Sequence, residues 1–295
     1  MQTQAPVDDR STAVKTRSFT STDGTTIGYR QLGHGPGVVL LHGAMESSRS
    51  HLELAEALAA CYTVYFPDRR GRGLSGPFGA GYSIRKEVED LDALLTETGA
   101  RDVFGVSAGA VICLQAALTL PALRKVAVFE PALVVDGSLS MAFLTRYDEE
   151  IARGKVAAAL VTGMLGSQMG PPIFNLMPRW LLEKLTTMFM ANEEKKATGD
   201  APTMRALAPT LHYDFQLIVE LEGALESFRA INSEVLLLSG GKSPAYLKVA
   251  ADAVEKVLPH VTRVEFPGLD HGASGPTDRG GKPGLVAQRL SEFFG

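Results

Sequence analysis

The chain has 295 residues, 45% of them hydrophobic and 21% charged, with a formal net charge of −4. That is enough for one large α/β domain carrying an inserted subdomain, and too little for two full-sized domains and a linker. The acidic balance and the lack of any Lys/Arg-rich run exclude a phosphate-tracking surface, so no nucleic-acid partner is expected.

Residues 1–15 have no apolar segment of the kind a signal peptide needs and read as a disordered polar tail. No apolar run approaches the roughly 18 residues of a membrane span, so a cytoplasmic location without membrane contact is expected. Arg17 to Ser21 and Thr26 to Gln31 flank Thr22-Asp23-Gly24-Thr25, a hairpin signal because Asp-Gly suits a tight turn. Val38 to Leu41 is a continuous apolar run between Gly-rich loops, as in a strand buried on both faces. Tyr62 to Phe66, Asp102 to Val106, Lys125 to Phe129 and Glu234 to Leu238 read the same way, whereas Thr262 to Phe266 alternates like a strand near a sheet edge. Apolar stripes at helical spacing lie between them, in Ile84, Val88, Leu91, Leu94 and Leu95 and in Leu247, Ala251, Val254 and Leu258. Strands alternating with amphipathic helices predict a mostly parallel sheet covered on both faces.

The alternation stops between Val134 and Ile231, where the sequence predicts helices only, at Met141 to Arg153, Val156 to Leu165, Trp180 to Glu194 and Ala201 to Leu211. The expected organisation is a core of residues 16–133 and 233–295 with a helical cap over 134–232. Seven of the nine methionines (Met141, Met164, Met169, Met177, Met188, Met190 and Met204) fall in this cap. They either fill its own small core or line an adaptable apolar pocket. The Gly/Pro-rich stretch 272–284 reads as a mobile loop. Cys61 and Cys113 fit neither a disulfide framework nor a zinc spacing, and Cys113 reads as a reduced core thiol.

Gly105-Val106-Ser107-Ala108-Gly109 matches G-x-S-x-G between a predicted strand and a strong helix from Ala110 to Leu118. A serine on that sharp turn takes a strained backbone and needs small neighbours, and the turn lifts its Oγ clear of the sheet. A hydroxyl needs a base to become a nucleophile at neutral pH. His271 lies in the loop after the last strand, where such a base is expected. Among the other histidines, His34 lies in a Gly-rich surface loop, His260 precedes a strand and His51 lies in a predicted helix. The backbone of His42 matters more than its ring, and His212 reads as a structural hydrogen-bonder in the cap. An oxyanion needs two preorganised N–H donors, for which Ala108 and Ala44 are the candidates.

The acid is harder to assign. The loop after the strand that follows the cap, Leu238-Ser239-Gly240-Gly241-Lys242-Ser243-Pro244, has no carboxylate. Glu130 ends the neighbouring strand in Val128-Phe129-Glu130-Pro131 and is the first choice, ahead of Asp270 and Asp136. Asp68-Arg69-Arg70-Gly71-Arg72-Gly73 fits no phosphate-loop spacing and reads as a turn network that holds loops near the site.

Together, His42-Gly43, Asp68 to Gly73, Gly105 to Gly109 and Asp270-His271 resemble the α/β-hydrolase superfamily over essentially Arg17 to Gly295. More narrowly, Phe129-Glu130-Pro131 and Gly240 to Pro244 are similar to signatures of a group of actinobacterial-type hydrolases. The resemblance implies an α/β-hydrolase fold with an eight-stranded sheet, a helical cap and no cofactor. In similar layouts, such as fungal zearalenone lactonases and haloalkane dehalogenases, the acid follows the sixth strand, which supports Glu130. A serine at 107 argues against dehalogenase or epoxide-hydrolase chemistry. The expected activity is cleavage of a carboxylic ester or lactone of a medium-sized hydrophobic substrate through an acyl-enzyme. Alternatives on the same scaffold are a lyase, a perhydrolase, a cofactor-free oxygenase or a small-molecule-binding member. The oligomeric state is open, a homodimer included.

Overall fold

A computed structural model of the chain describes residues 13–197 and 199–295. Among the described residues are eight strands: β1 (Lys15–Thr20), β2 (Thr26–Gly33), β3 (Gly37–Leu41), β4 (Thr63–Pro67), β5 (Asp102–Val106), β6 (Lys125–Phe129), β7 (Glu234–Gly240) and β8 (Val261–Phe266). The helices of the first half are α1 (Leu52–Leu58), α2 (Ile84–Thr98) and α3 (Ala108–Thr119). Between β6 and β7 follow α4 (Phe143–Ala152), α5 (Val156–Gly166), α6 (Arg179–Lys196), α7 (Met204–Leu207) and α8 (Leu211–Glu220). The chain then adds α9 (Ala245–Val257) and α10 (Pro283–Phe294). Of the residues read as a tail, 1–12 lie outside the described residues, and Lys15 belongs to β1.

The strands form one sheet in the order β1-β2-β4-β3-β5-β6-β7-β8. β2 pairs antiparallel with both β1 and β4, and the pairings among the six strands from β3 to β8 are all parallel. The predicted mostly parallel sheet with an edge strand at the end of the chain is therefore observed. Successive strand side chains point to opposite faces, so each apolar strand feeds two cores. Val39, Leu41, Val126 and Val128 pack with α2, α3 and α9. Val38, Leu40, Ala127 and Phe129 pack with α1 and α10 on the other face.

The helices between β6 and β7 have a core of their own, in which Tyr147, Ala159, Leu211, Phe215 and Ile218 pack with Ala132 and against Ala44 and Met45. One prediction here is corrected. In place of a helix over 201–211, α7 spans only Met204–Leu207, a 3-10 turn follows at Ala208–Thr210, and α8 continues to Glu220. Pro209 has no N–H to continue the ladder of the preceding turn, so it divides the segment. The expected mobile loop at 272–284 is folded on itself. Ala273 and Ser274 are buried, a 3-10 turn spans Thr277–Arg279, and Lys282 N–H donates to Ala273 O at 2.8 Å.

Candidate active site

Ser107 sits between β5 and α3 with φ 55° and ψ −114°. An L-residue avoids this region unless its surroundings enforce it. Here the Ser107 N–H donates to Phe129 O at 3.0 Å, while its carbonyl accepts from Ala110 and Val111 in the first turn of α3. The two glycines of the motif have a steric reason. A Cβ at Gly105 would lie 2.3 Å from Gly109 O, and one at Gly109 would lie 2.3 Å from Leu41 O. Only hydrogen fits where strand, helix and β3 cross so closely.

His271 reaches the same region from the loop after β8. Its Nδ1 is 2.7 Å from Glu130 Oε2. Glu130 is fully buried, and its second oxygen accepts Gly240 N–H at 2.7 Å, so both carboxylate oxygens are engaged. Its backbone also lies in the left-handed region, with φ 46°, held by an N–H bond to Leu238 O at 3.0 Å. Of the three carboxylates weighed from sequence, this is the one His271 meets. Asp270 is exposed and accepts Gly272 N–H at 2.9 Å within its own turn. Asp136 is exposed in a loop before α4. The lack of an acid after β7 also has a steric cause. A Cβ at Gly240 would come within 2.6 Å of Leu269 O, and one at Gly241 within 2.8 Å of Pro267 O. The loops after β7 and β8 are packed too closely for a side chain at either position.

The candidate oxyanion donors, Ala44 and Ala108, line one cavity with Ser107 and His271. Neither N–H is bonded to another group among the described residues. Met45, next to Ala44, is held at φ 57°. Three of the five non-glycine residues with positive φ among the described residues, Met45, Ser107 and Glu130, are thus gathered here. The ring of His42, expected to matter less than its backbone, is itself structural. It is buried, with Nδ1 2.9 Å from Gly43 O and Nε2 accepting Arg69 N–H at 3.1 Å. Burial, reinforced by the Arg72 and Arg69 charges, holds its pKa well below the usual histidine value. His212 bonds Asp148 at 2.9 Å, as expected of a structural residue.

The 68–73 segment forms the predicted network. Asp68 accepts the N–H groups of Ser48 at 2.7 Å and Leu74 at 2.9 Å. Arg70 forks onto Asp90 with bonds of 2.7 and 2.6 Å. Arg69 pairs with Glu87 at 2.9 Å and with Asp214 of α8 at 2.9 Å. Burial opposes the charge on Glu87, but the Arg69 guanidinium outweighs it and holds the carboxyl below its ordinary pKa. Arg72 donates to Asp214 at 2.8 Å and to Gly43 O at 3.2 Å. Asp214 was missed from sequence. Its signal was a carboxylate within the Leu211, Phe215 and Ile218 stripe, where an unpaired charge is too costly to bury.

The cavity measures about 440 Å³. Its walls include Leu160, Met164, Met204, Leu211, Phe215 and Ile218, with Asp214, Tyr246 and Arg279 as polar members. The methionines divide between the two readings. Met164, Met169 and Met204 line the cavity, Met190 is packed beside Leu160 and Ala208, and Met188 is exposed. Among the described residues, no three His, Cys, Asp or Glu side chains gather as a metal-ligand set, and no helix is long and apolar enough to cross a membrane. Cys113 is a buried free thiol whose pKa burial pushes up.

Comparison with known proteins gives the same architecture. An α/β hydrolase of Sphaerobacter thermophilus superimposes with a TM-score of 0.77 at 31% identity, covering 95% of this chain and all of that one. A non-heme chloroperoxidase of Kitasatospora aureofaciens is 36% identical over 85 residues, 28% of this chain and 31% of the relative. An uncharacterized hydrolase of Bacillus subtilis is 34% identical over 102 residues, 33% of this chain and 38% of the relative. The chain therefore spans about a third of the length of the curated relatives it matches. The sequence model of the Alpha/beta hydrolase family matches residues 38–283. With its fold shared along almost its whole length, the chain belongs to the α/β-hydrolase family.

Proposed function

We propose that the chain is a serine hydrolase that cleaves a carboxylic ester or lactone of a medium-sized hydrophobic substrate through an acyl-enzyme. The observation that carries this reading is the convergence on one cavity of Ser107, unbonded N–H groups at Ala44 and Ala108, and His271 with Glu130 on its far nitrogen. His271 takes the proton of Ser107 as the oxygen attacks the substrate carbonyl. Glu130 accepts Nδ1–H, fixes the tautomer that leaves Nε2 free as the base, and stabilises the imidazolium that forms. The N–H groups of Ala44 and Ala108 bind the oxyanion of the tetrahedral intermediate, each worth about 3 kcal/mol in the transition state. His271 returns its proton to the leaving alcohol. Water activated by the same imidazole then attacks the acyl-serine and releases the acid. The apolar walls, formed largely by helices of the insertion acting as a cap, favour a hydrophobic substrate.

p-Nitrophenyl esters of graded chain length and a panel of lactones test this proposal. A burst of product followed by a slower phase, together with labelling by a fluorophosphonate, is expected of the parent chain. Both should vanish in Ser107→Ala, and full activity in that variant would reject the reading.

The partial likeness to a chloroperoxidase favours one second reading, in which hydrogen peroxide replaces water. Attack of peroxide on the acyl-serine would release a peracid and regenerate Ser107. Peracid formed from an ester and hydrogen peroxide faster than the ester is hydrolysed would select it.

A further inference from the structure

Arg72 is bonded to neither Ser107 nor His271, yet it grips the peptide that carries the Ala44 N–H. Its Nη1 donates to Gly43 O at 3.2 Å, and the buried His42 ring bonds the same oxygen through Nδ1 at 2.9 Å. The Gly43 carbonyl and the Ala44 N–H belong to one planar trans peptide, so they point in opposite directions and fixing one fixes the other. With the oxygen held by buried groups, the N–H is turned the opposite way, and Gly43 and Ala44 both line the cavity. The contact is also electronic. A cation on the carbonyl side polarises the amide and makes its N–H a better donor to an anion.

Arg72 is anchored in turn by the helical insertion. Its Nη2 donates to Asp214 Oδ1 at 2.8 Å, and Asp214 is fully buried on α8. Arg69 shares that carboxylate oxygen at 2.9 Å but is balanced separately by Glu87. Two guanidinium groups thus face two carboxylates, which lets all four be buried. A crosslink serving stability alone would end at Asp214, whereas this one continues to the Gly43 carbonyl.

We propose that Arg72 is a positioning residue for the oxyanion donor at Ala44, and that Asp214 ties this donor to α8. The helical insertion and the oxyanion peptide then move as one unit, so seating of the insertion completes the donor pair. The proposal rests on the serine-hydrolase reading given above.

The test measures fluorophosphonate labelling rate and the inhibition constant of an aliphatic trifluoromethyl ketone, whose hemiketal oxyanion would occupy the same donors. Arg72→Met keeps the stem, removes the donors and leaves Asp214 paired with Arg69. It should slow labelling and weaken the ketone by the same factor, about 30- to 100-fold, below the effect of deleting a donor outright. KM for a p-nitrophenyl ester should stay within about twofold while kcat falls. Arg72→Lys, which can reach one partner at a time, should recover part of both readouts. Asp214→Asn added to Arg72→Met should cost nothing more, because the two act in one chain. A folded Arg72→Met with parental labelling and ketone affinity overturns the proposal, as does a loss confined to KM. If Arg72→Met does not fold, Arg72→Lys decides alone, and unchanged readouts there overturn it. A parent chain that does not label, or a Ser107→Ala variant that does, overturns the underlying reading instead.

Discussion

Glu130 and His271 are 141 positions apart in sequence, yet Oε2 of one lies 2.7 Å from Nδ1 of the other. The carboxylate arrives from the end of β6, beside the strand that presents Ser107, while the end of β7 supplies the backbone N–H of Gly240 to its second oxygen. A side chain at Gly240 would collide with Leu269 O, so the acid cannot be moved there without rebuilding both loops.

Glu130→Gln should keep the shape and lose the chemistry. The amide NH₂ would donate to Nδ1, move the ring proton to Nε2 and leave the imidazole unable to act as a base. By analogy with aspartate-to-asparagine changes in serine-protease triads, kcat should fall about 10³- to 10⁴-fold with KM little changed. Glu130→Asp should also lose at least tenfold, because one methylene less no longer spans from β6 to the ring. Steady-state kinetics on a responsive ester checks both, and parental kcat in Glu130→Gln would remove this carboxylate from the mechanism.

Gly105→Ala and Gly109→Ala should each destabilise the chain by at least about 2–3 kcal/mol, the upper part of the range for forcing atoms into packed space. In both cases the new Cβ meets backbone oxygen at 2.3 Å, and backbone cannot rotate away as a side chain can. Urea midpoints with an unchanged m-value would measure the loss. A variant as stable as the parent would show that the crossing of β5, α3 and β3 is looser than described.

Much of this arrangement was legible in sequence because local rules carry it. Strand runs at 38–41, 102–106 and 125–129 announce a buried parallel sheet, and a serine between small residues at a strand-to-helix turn announces itself by its context. Glu130 could be chosen as the partner of His271 because a carboxylate at the end of a buried strand needs a partner, and that strand lies beside the one that ends at Ser107. What escaped were contacts between segments distant in the chain. Asp214 was not singled out, because its partners Arg69 and Arg72 lie far off in the chain and only the placement of α8 brings it against them. The His42 ring was discounted because nothing local shows that Arg69 N–H needs an acceptor there. The 201–211 helix failed because its composition outweighed Pro209, a single residue whose missing N–H divides the segment.

Stability should fall as the solution is acidified below neutrality, before the carboxylates titrate. His42 and His51 are buried, and burial lowers the pKa of both, with Arg72 adding to the effect at His42 and Glu46 opposing it at His51. Neither ring nitrogen of His51 has a hydrogen-bond partner among the described residues. The unfolded chain takes up protons near pH 6.5 that the folded chain refuses, so unfolding is favoured as pH drops through that value. The slope should approach about 1.4 kcal/mol per pH unit for each histidine, ending where the depressed folded values are reached. Above about pH 7.5 these two residues contribute no pH dependence. Tm should therefore be lower at pH 5.5 than at 7.5, and His51→Leu should remove about half of that dependence. A Tm that is flat across the interval would contradict the burial of uncharged rings.

Substrate length should respond to the methionines that line the cavity and not to those that do not. Met164 and Met204 face the cavity of about 440 Å³ with Leu160 and Phe215, while Met190 is packed inside the insertion. Met164→Trp adds a rigid ring where a flexible thioether stood, so long acyl chains should be excluded first. In hydrophobic pockets one methylene is worth about 1–3 kcal/mol, or roughly 10- to 200-fold in kcat/KM. Met164→Trp should therefore lower kcat/KM for the longest accepted p-nitrophenyl ester at least tenfold while sparing the acetate. Met204→Ala should move the preferred chain length upward. Met190→Leu, a nearly volume-conserving change outside the cavity, should leave the profile in place. If all three variants keep the parental order of substrates, the acyl chain does not occupy this cavity. Specificity would then have to be sought at the exposed lining residues Arg279 and Met169.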